Sequence, residues 1–324
     1  MERGETSSRH RLLLTFTEDG AQVSVWAPEG DAPDSHTAAE RASHREDAPA
    51  PRVPHAALAL AYLHVHDGDG TDVVRELKKL AGVPFALAAI RPACWNDDLT
   101  PWTCPGLFAD DAPFSGRARE ELSLLEQRIV PHVEKELRTW ARNAAASARG
   151  GDPCGTAVKA NHDAACTRLA GSRASCQTQS GGASGTQRAV ANAAPGQLHF
   201  SRTIAGYSLA GLFATWAAFN SRAFSRIASA SGSLWYPDFA RYVAERDFAR
   251  IPECASFSLG SKESKTPSRL LRNVARGTDE VIAAFREKGV PVHFEMNPGN
   301  HFKEPAARMA RAIAWAISQP APTR

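Results

Sequence analysis

The chain lacks any apolar run of membrane-spanning length, which takes about 18 residues or more, so no transmembrane helix is expected. It has little net charge for its size. An excess of +3 over 324 residues is too small to imply a nucleic-acid partner. The six cysteines (Cys94, Cys104, Cys154, Cys166, Cys176 and Cys254) show no close paired spacing. That argues against a disulfide framework and against a zinc clip, and it suits reduced thiols in the cytoplasm. The opening residues hold only a short apolar run and no small-residue cleavage site, so a secretory leader is not expected. Large apolar side chains are almost missing from 27–53 and 145–196. Neither stretch can bury enough to offset chain entropy. They are read as a low-complexity polar loop and a disordered insertion.

Elsewhere the apolar residues fall into short periodic runs. Residues 12–17 and 22–26 read as a hairpin around Glu18-Asp19-Gly20. The run 56–65 is nearly all apolar, as a central parallel strand covered on both faces would be, and 83–90 repeats the pattern. A helix is expected over 71–80. A second helical period runs over 117–143 through Leu122, Leu125, Ile129, Val133, Leu137 and Trp140, with Pro131 opening a new helix at its first turn. Further strands are expected at 202–205, 223–230, 255–259 and 290–296. Further helices are expected from Leu212 onward, over 238–247, over 268–288 and over 304–318. Leu271, Val274, Val281, Ile282 and Phe285 should face inward from the third of these, and Met309, Ile313 and Ile317 from the last. Strands alternating with helices make an α/β class with a mostly parallel sheet, here as a single domain over 10–318.

The chemistry gathers at TIAGYSLAGLFATWAAF, which begins at Thr203. A β-prone run stops at Gly206, Ser208 follows two residues later, and an apolar helix begins soon after. That is the strand–sharp turn–helix of a nucleophile elbow, in which small residues must flank the strained serine. Gly206 fills the place two before it, and Ala210 the place two after. In such sheets active groups collect at the carboxyl ends of strands. Ser208, Glu263 and His301 stand there in the order serine, acid, histidine. Serine is a weak nucleophile and needs an imidazole base, and a carboxylate fixes the imidazole tautomer. The turn NPGN presents His301 at a strand end, whereas His293 lies inside its strand and points into the packing. No aspartate occurs between Ala255 and Gly277, so Glu263 is the candidate acid; the alternative is a solvated loop glutamate and a Ser208–His301 dyad. The oxyanion needs two N–H donors, expected from Leu209 and from Asp69 in His66-Asp67-Gly68-Asp69-Gly70. Asn96, Trp102 and Trp235 sit on strand-end loops as candidate pocket walls. His64 and His66 have the His-x-His spacing of metallohydrolases, but Gly68 stands where that pattern needs an aspartate, so neither a metal nor a cofactor is expected.

The stretches GYSLAGLFATWA, SGSLWYP, SLGSKESKT and NPGNHF resemble the esterase group of α/β-hydrolases that includes esterase D and the enterochelin (ferric siderophore) esterases, most closely the siderophore branch. The resemblance spans about 10–30, 55–143 and 198–318 and implies an α/β-hydrolase fold. It also implies ester hydrolysis through Ser208 and His301, a small-molecule ester substrate, and HDGDG as part of the oxyanion site. The chain departs from that group in the 145–196 insertion and in the polar loop before Val53. An acyltransferase or thioesterase would use the same acyl-enzyme. A binding module that kept the fold without the chemistry is the reading from another class.

Overall fold

The computed structural model describes residues 10–29, 57–107, 110–149 and 198–320. The expected polar loop lies outside the described residues from 30 on, and the expected insertion from 150 on. Two β-prone runs joined at Asp19-Gly20 form β1 (His10–Glu18) and β2 (Ala21–Pro28), an antiparallel pair. The apolar run after the polar loop becomes β3 (Ala57–His64), followed by helix α1 (Thr71–Leu80) and β4 (Phe85–Arg91). One turn of helix, α2 (Trp95–Asp98), leads to α3 (Ala118–Leu124), a π-helical turn over Leu125–Ile129 and α4 (Val130–Arg149). Then come β5 (His199–Tyr207), α5 (Leu209–Asn220), β6 (Arg226–Ala230), α6 (Phe239–Glu245) and β7 (Cys254–Gly260). A 3-10 turn at Leu271–Asn273 leads into α7 (Val274–Glu287), β8 (Val292–Asn297) and α8 (Pro305–Ser318).

The strands join in the order β1-β2-β4-β3-β5-β6-β7-β8. β2 runs antiparallel to both of its neighbours, and every pair from β4 to β8 is parallel. Strand periodicity separates two apolar layers. Leu58, Leu60 and Tyr62 of β3 pack on one face with Leu125, Ile129, Val133 and Phe213. Ala59, Ala61 and Leu63 pack on the other with Val73, Val74 and Leu77 of α1 and Met309 and Ile313 of α8. A strand apolar on both faces is what a helix-covered parallel sheet requires. Helix α5 is buried from Leu209 to Phe219, because it is apolar all round and lies against the sheet under other elements.

Several boundaries move from those expected. Helix α5 starts at Leu209 rather than Leu212, because the elbow turns straight into it. The run 117–143 forms α3 and α4 joined by a π turn, with the second helix opening at Pro131 as expected. Pro131 stands in the first turn of α4, and the π turn before it loosens the backbone without leaving helical dihedrals at Leu125 or Val130. The helix expected over 268–288 is a 3-10 turn followed by α7, so Leu271 is only partly buried, packed against the edge of the core and lining a cleft. Gly289 closes α7 at φ 80° as expected.

Phe213 is fully buried between the sheet and α3–α4, edge-on to His64 with ring centroids 4.8 Å apart. Phe213→Ala should lower unfolding stability by about 3–5 kcal/mol, read as a reduced urea midpoint with an unchanged slope.

Candidate active site

The backbone doubles back at the end of β5 with almost no room. A Cβ on Gly206 would lie 2.2 Å from both the carbonyl carbon and the carbonyl oxygen of Ala210, so only glycine fits. Ser208, at the crest, adopts φ 60° and ψ −123°, an arrangement that costs a non-glycine residue about 1–3 kcal/mol. The surrounding hydrogen bonds hold it there. Its N–H donates to Ala230 C=O at 3.3 Å, and its C=O accepts from Gly211, Leu212 and Ser233 N–H groups. Its Oγ lies 3.5 Å from Ser233 Oγ. Leu209 N–H is at the first position of α5, where a helix has no internal acceptor for it.

Glu263 and His301 meet through a charge-assisted bond, His301 Nδ1–H to Glu263 Oε2 at 2.9 Å. With the proton on Nδ1, Nε2 keeps a free lone pair. Glu263 is not a solvated loop residue. It is 8% exposed, and its Oε1 accepts from Gly260 N–H at 2.6 Å, Ser231 Oγ at 2.7 Å and Arg308 Nη1 at 3.0 Å. Burial by itself would raise this carboxyl. The bonds from His301, Ser231 and Gly260, with the nearby His301 charge, outweigh it and hold the group below its ordinary value. Gly260 is needed at the end of β7, because a Cβ there would come within 2.6 Å of Glu263 Oε1 and 2.7 Å of Gly299 C=O.

Ser208 and His301 line two clefts that share them. The wider, about 690 Å³, has Asn96, Trp235, Trp95, Phe114, Lys262 and Lys265 among its walls. The narrower, about 540 Å³, runs along the loop 65–70 and the start of α1 to Met309. Asn96 and Trp235 thus stand where the sequence places them. Trp102 does not: its indole N–H donates to Pro237 C=O at 3.1 Å and its ring packs on Tyr236 and Tyr242, so it braces the wall from behind. Asp69 borders the narrower cleft. Its carboxylate accepts from Thr71 N–H at 3.0 Å and from Thr71 Oγ1, which keeps the group below its ordinary value, and its C=O accepts from Trp26 Nε1 at 2.8 Å.

The His-x-His pair is not a shared ligand set. His64 is buried and donates from Nε2 to Glu121 at 2.9 Å, while His66 is exposed and bonded to Asp67. Among the described residues no group of three or more His, Cys, Asp or Glu side chains could hold a metal ion. Cys94, Cys104 and Cys254 are free thiols. No helix among the described residues is long and apolar enough to cross a membrane.

Sequence reasoning missed Arg308, Tyr207, Ser231, Trp95 and Phe302. Arg308 stands next to Met309, inside the apolar stripe of a helix whose other cation is Arg311, and a cation inside such a stripe is the one signal that could have found it. Tyr207 and Ser231 take their roles from neighbours distant in sequence.

Because Glu263 titrates lower folded than unfolded, its stabilising contribution is present above the ordinary glutamate value and is lost as pH falls through the folded one. Glu263→Gln lacks that contribution and leaves Arg308 without its charge partner. It should be about 3 kcal/mol less stable than the parent at pH 7. Melts at stepped pH should show that gap narrowing below about pH 4; a gap that stays constant to pH 3 would contradict the assignment.

No protein-family model and no curated protein matches the chain. Solved structures do. An IroE-like serine hydrolase from Shewanella oneidensis superposes with a TM-score of 0.57 at 13% identity, over 95% of this chain and 79% of that one. The enterobactin and salmochelin hydrolase IroE gives 0.54 at 16% identity over 98% of each chain. The siderophore hydrolase EstB from Aspergillus nidulans gives 0.54 at 14% over 99% of this chain and 98% of that one. With the sheet order, the antiparallel second strand and the strained serine turn after β5, this likeness identifies the fold of the chain as that of the α/β-hydrolases.

Proposed function

We propose that the chain is a serine ester hydrolase that cleaves small-molecule carboxylic esters through an acyl-enzyme on Ser208. The observation that carries this reading is the hydrogen bond from His301 Nδ1 to the buried, ionised Glu263, made beside an elbow serine that shares both clefts with His301. In this mechanism Ser208 Oγ attacks the ester carbonyl as His301 Nε2 takes its proton. Glu263 stabilises the imidazolium that forms, and the proton then passes to the departing alcohol. The oxyanion is held by the N–H groups of Leu209 and Asp69. Water repeats the sequence on the acyl-enzyme. The His301 side chain is 31% exposed, so solvent reaches the base directly, which favours hydrolysis over transfer to a second organic nucleophile.

The clefts bear on the substrate. Aromatic walls from Trp95, Trp235 and Phe114, with Lys262 and Lys265 among the same lining residues, suit an aryl ester carrying negative charge. Siderophore-type esters or lactones fit that description, and two of the structural neighbours are named as an enterobactin and salmochelin hydrolase and as a siderophore hydrolase. We further infer that residues 10–318 form one catalytic domain that carries the 145–196 segment as an insertion.

A fluorophosphonate probe should label the wild type on Ser208 and leave Ser208→Ala unlabelled. Ser208→Ala and His301→Ala should each lower p-nitrophenyl ester turnover by about 10³-fold or more, and the double variant should be no worse than either, because the pair acts as a unit. Near-normal turnover in folded Ser208→Ala would end this reading.

A further inference from the structure

Arg308 is the bulkiest of the fully buried side chains among the described residues, 1% exposed, and no step of the mechanism above uses it. Its guanidinium reaches five acceptors at the ends of four strands, β5 to β8. Nη1 donates to Glu263 Oε1 at 3.0 Å, Ser231 Oγ at 3.1 Å and Tyr207 OH at 3.2 Å. Nη2 donates to the backbone carbonyls of Asn300 at 3.0 Å and Pro298 at 3.3 Å, in the turn that carries His301. Tyr207, the residue before the nucleophile, in turn donates its hydroxyl to the His301 carbonyl at 2.5 Å. One planar cation therefore ties together the acid, the backbone of the base and the residue before the nucleophile. Arginine has the fork for that and lysine does not.

We propose that Arg308 is the positioning residue of this site, setting both where the His301 imidazole stands and how strongly Glu263 makes it basic. The proposal rests on the serine-hydrolase reading. Its physical basis is that Glu263 divides its charge. Oε2 faces His301, while Oε1 faces a permanent cation in a water-poor pocket. A carboxylate partly neutralised by an arginine stabilises an imidazolium less than a free one does. Arg308 therefore lets the base stay unprotonated at lower pH.

The other charged or titratable groups around His301 and Glu263 differ in kind. Burial raises the Tyr207 phenol, so it is neutral near pH 7. Lys262 and Lys265 stand on the acid's own loop, and His66, Asp67, Asp69 and Asp72 on or just beyond the loop after β3. Asp111 belongs to the facing wall of the wider cleft. These border open clefts where water and salt screen them. Arg308 is the cation that bonds to the acid itself.

The test is kcat/KM for a p-nitrophenyl ester between pH 4 and 9, with folded fraction checked by thermal melt, for wild type, Arg308→Met and Arg308→Lys. Arg308→Met should lower kcat about 10–100-fold with KM changed less than about twofold, because a small displacement of the base is felt in the transition state. Its acid limb should move up by about one pH unit, since all of the Glu263 charge then acts on the imidazole. Arg308→Lys keeps the charge and loses the fork, so it should lose kcat while its limb stays within a few tenths of the wild-type position. A limb that does not move in folded Arg308→Met, or that moves equally in both variants, overturns the proposal. If Arg308→Met does not fold, Arg308→Lys decides: reduced kcat with the limb in place supports the proposal, and unchanged kcat overturns it. Failure of a fluorophosphonate to label wild-type Ser208 would instead overturn the underlying reading.

Discussion

The close approach of β5 to the first turn of α5 is the constraint on which the catalytic end depends. Backbone passes backbone there at a distance that excludes even a methyl group on Gly206. The strain this puts into Ser208 is balanced by what lies on either side. β5 is hydrogen-bonded between β3 and β6, and α5 is buried along nearly its whole length. A turn in an exposed hairpin would relax to ordinary dihedrals. Here relaxing Ser208 would mean pulling a central strand or a buried helix out of register, which costs more than the strain.

Glu263 and His301 are held by a different device. Neither is on a strand or helix: Glu263 follows β7 and His301 follows β8. Loops gain precision only where their polar groups are saturated, and both are saturated from below. Glu263 takes four donors. The turn before His301 gives two carbonyls to Arg308, and His301 gives its own to Tyr207. A glutamate buried with too few donors would take up a proton and stop orienting the imidazole. This one is kept charged by the same contacts that keep it in place.

Two further partly buried ion pairs brace the sheet. Arg202 on β5 donates to Glu134 on α4 at 2.5 Å, joining the helix that ends at Arg149 to the strand that begins at His199. Arg226 on β6 donates to Glu253 at 3.1 Å and to the carbonyls of Ala316 and Ile317, placing a cation at the end of α8, where the helix leaves its last carbonyls free. Helix α8, which supplies Arg308 to the site, is thus fastened at its far end to the central sheet. His64 and Glu121 pair beneath the loop that lines the narrower cleft.

Period and composition were enough for the frame. The all-apolar run of β3, the helix over Thr71–Leu80 and the glycine–serine–alanine spacing of the elbow are local signals, because each reflects what one stretch of chain must bury or avoid. Ser208, Glu263 and His301 were legible as candidates by their place after strands and their order along the chain, as were Asn96 and Trp235 as cleft walls. That Glu263 is buried and fully bonded instead of solvated was not, because that turns on partners 32 and 45 residues away in the chain. Nor was the inward turn of Trp102, whose indole N–H finds its acceptor 135 residues on. The role of Arg308 was hidden for the same reason. In sequence it is one of two arginines on a helix. Only the packing of α8 beneath the ends of β5, β6 and β7 removes water from its guanidinium and leaves Glu263 and the turn before His301 among its partners. A sequence records which groups can be charged or buried; which of them lose water together is decided by the folded chain.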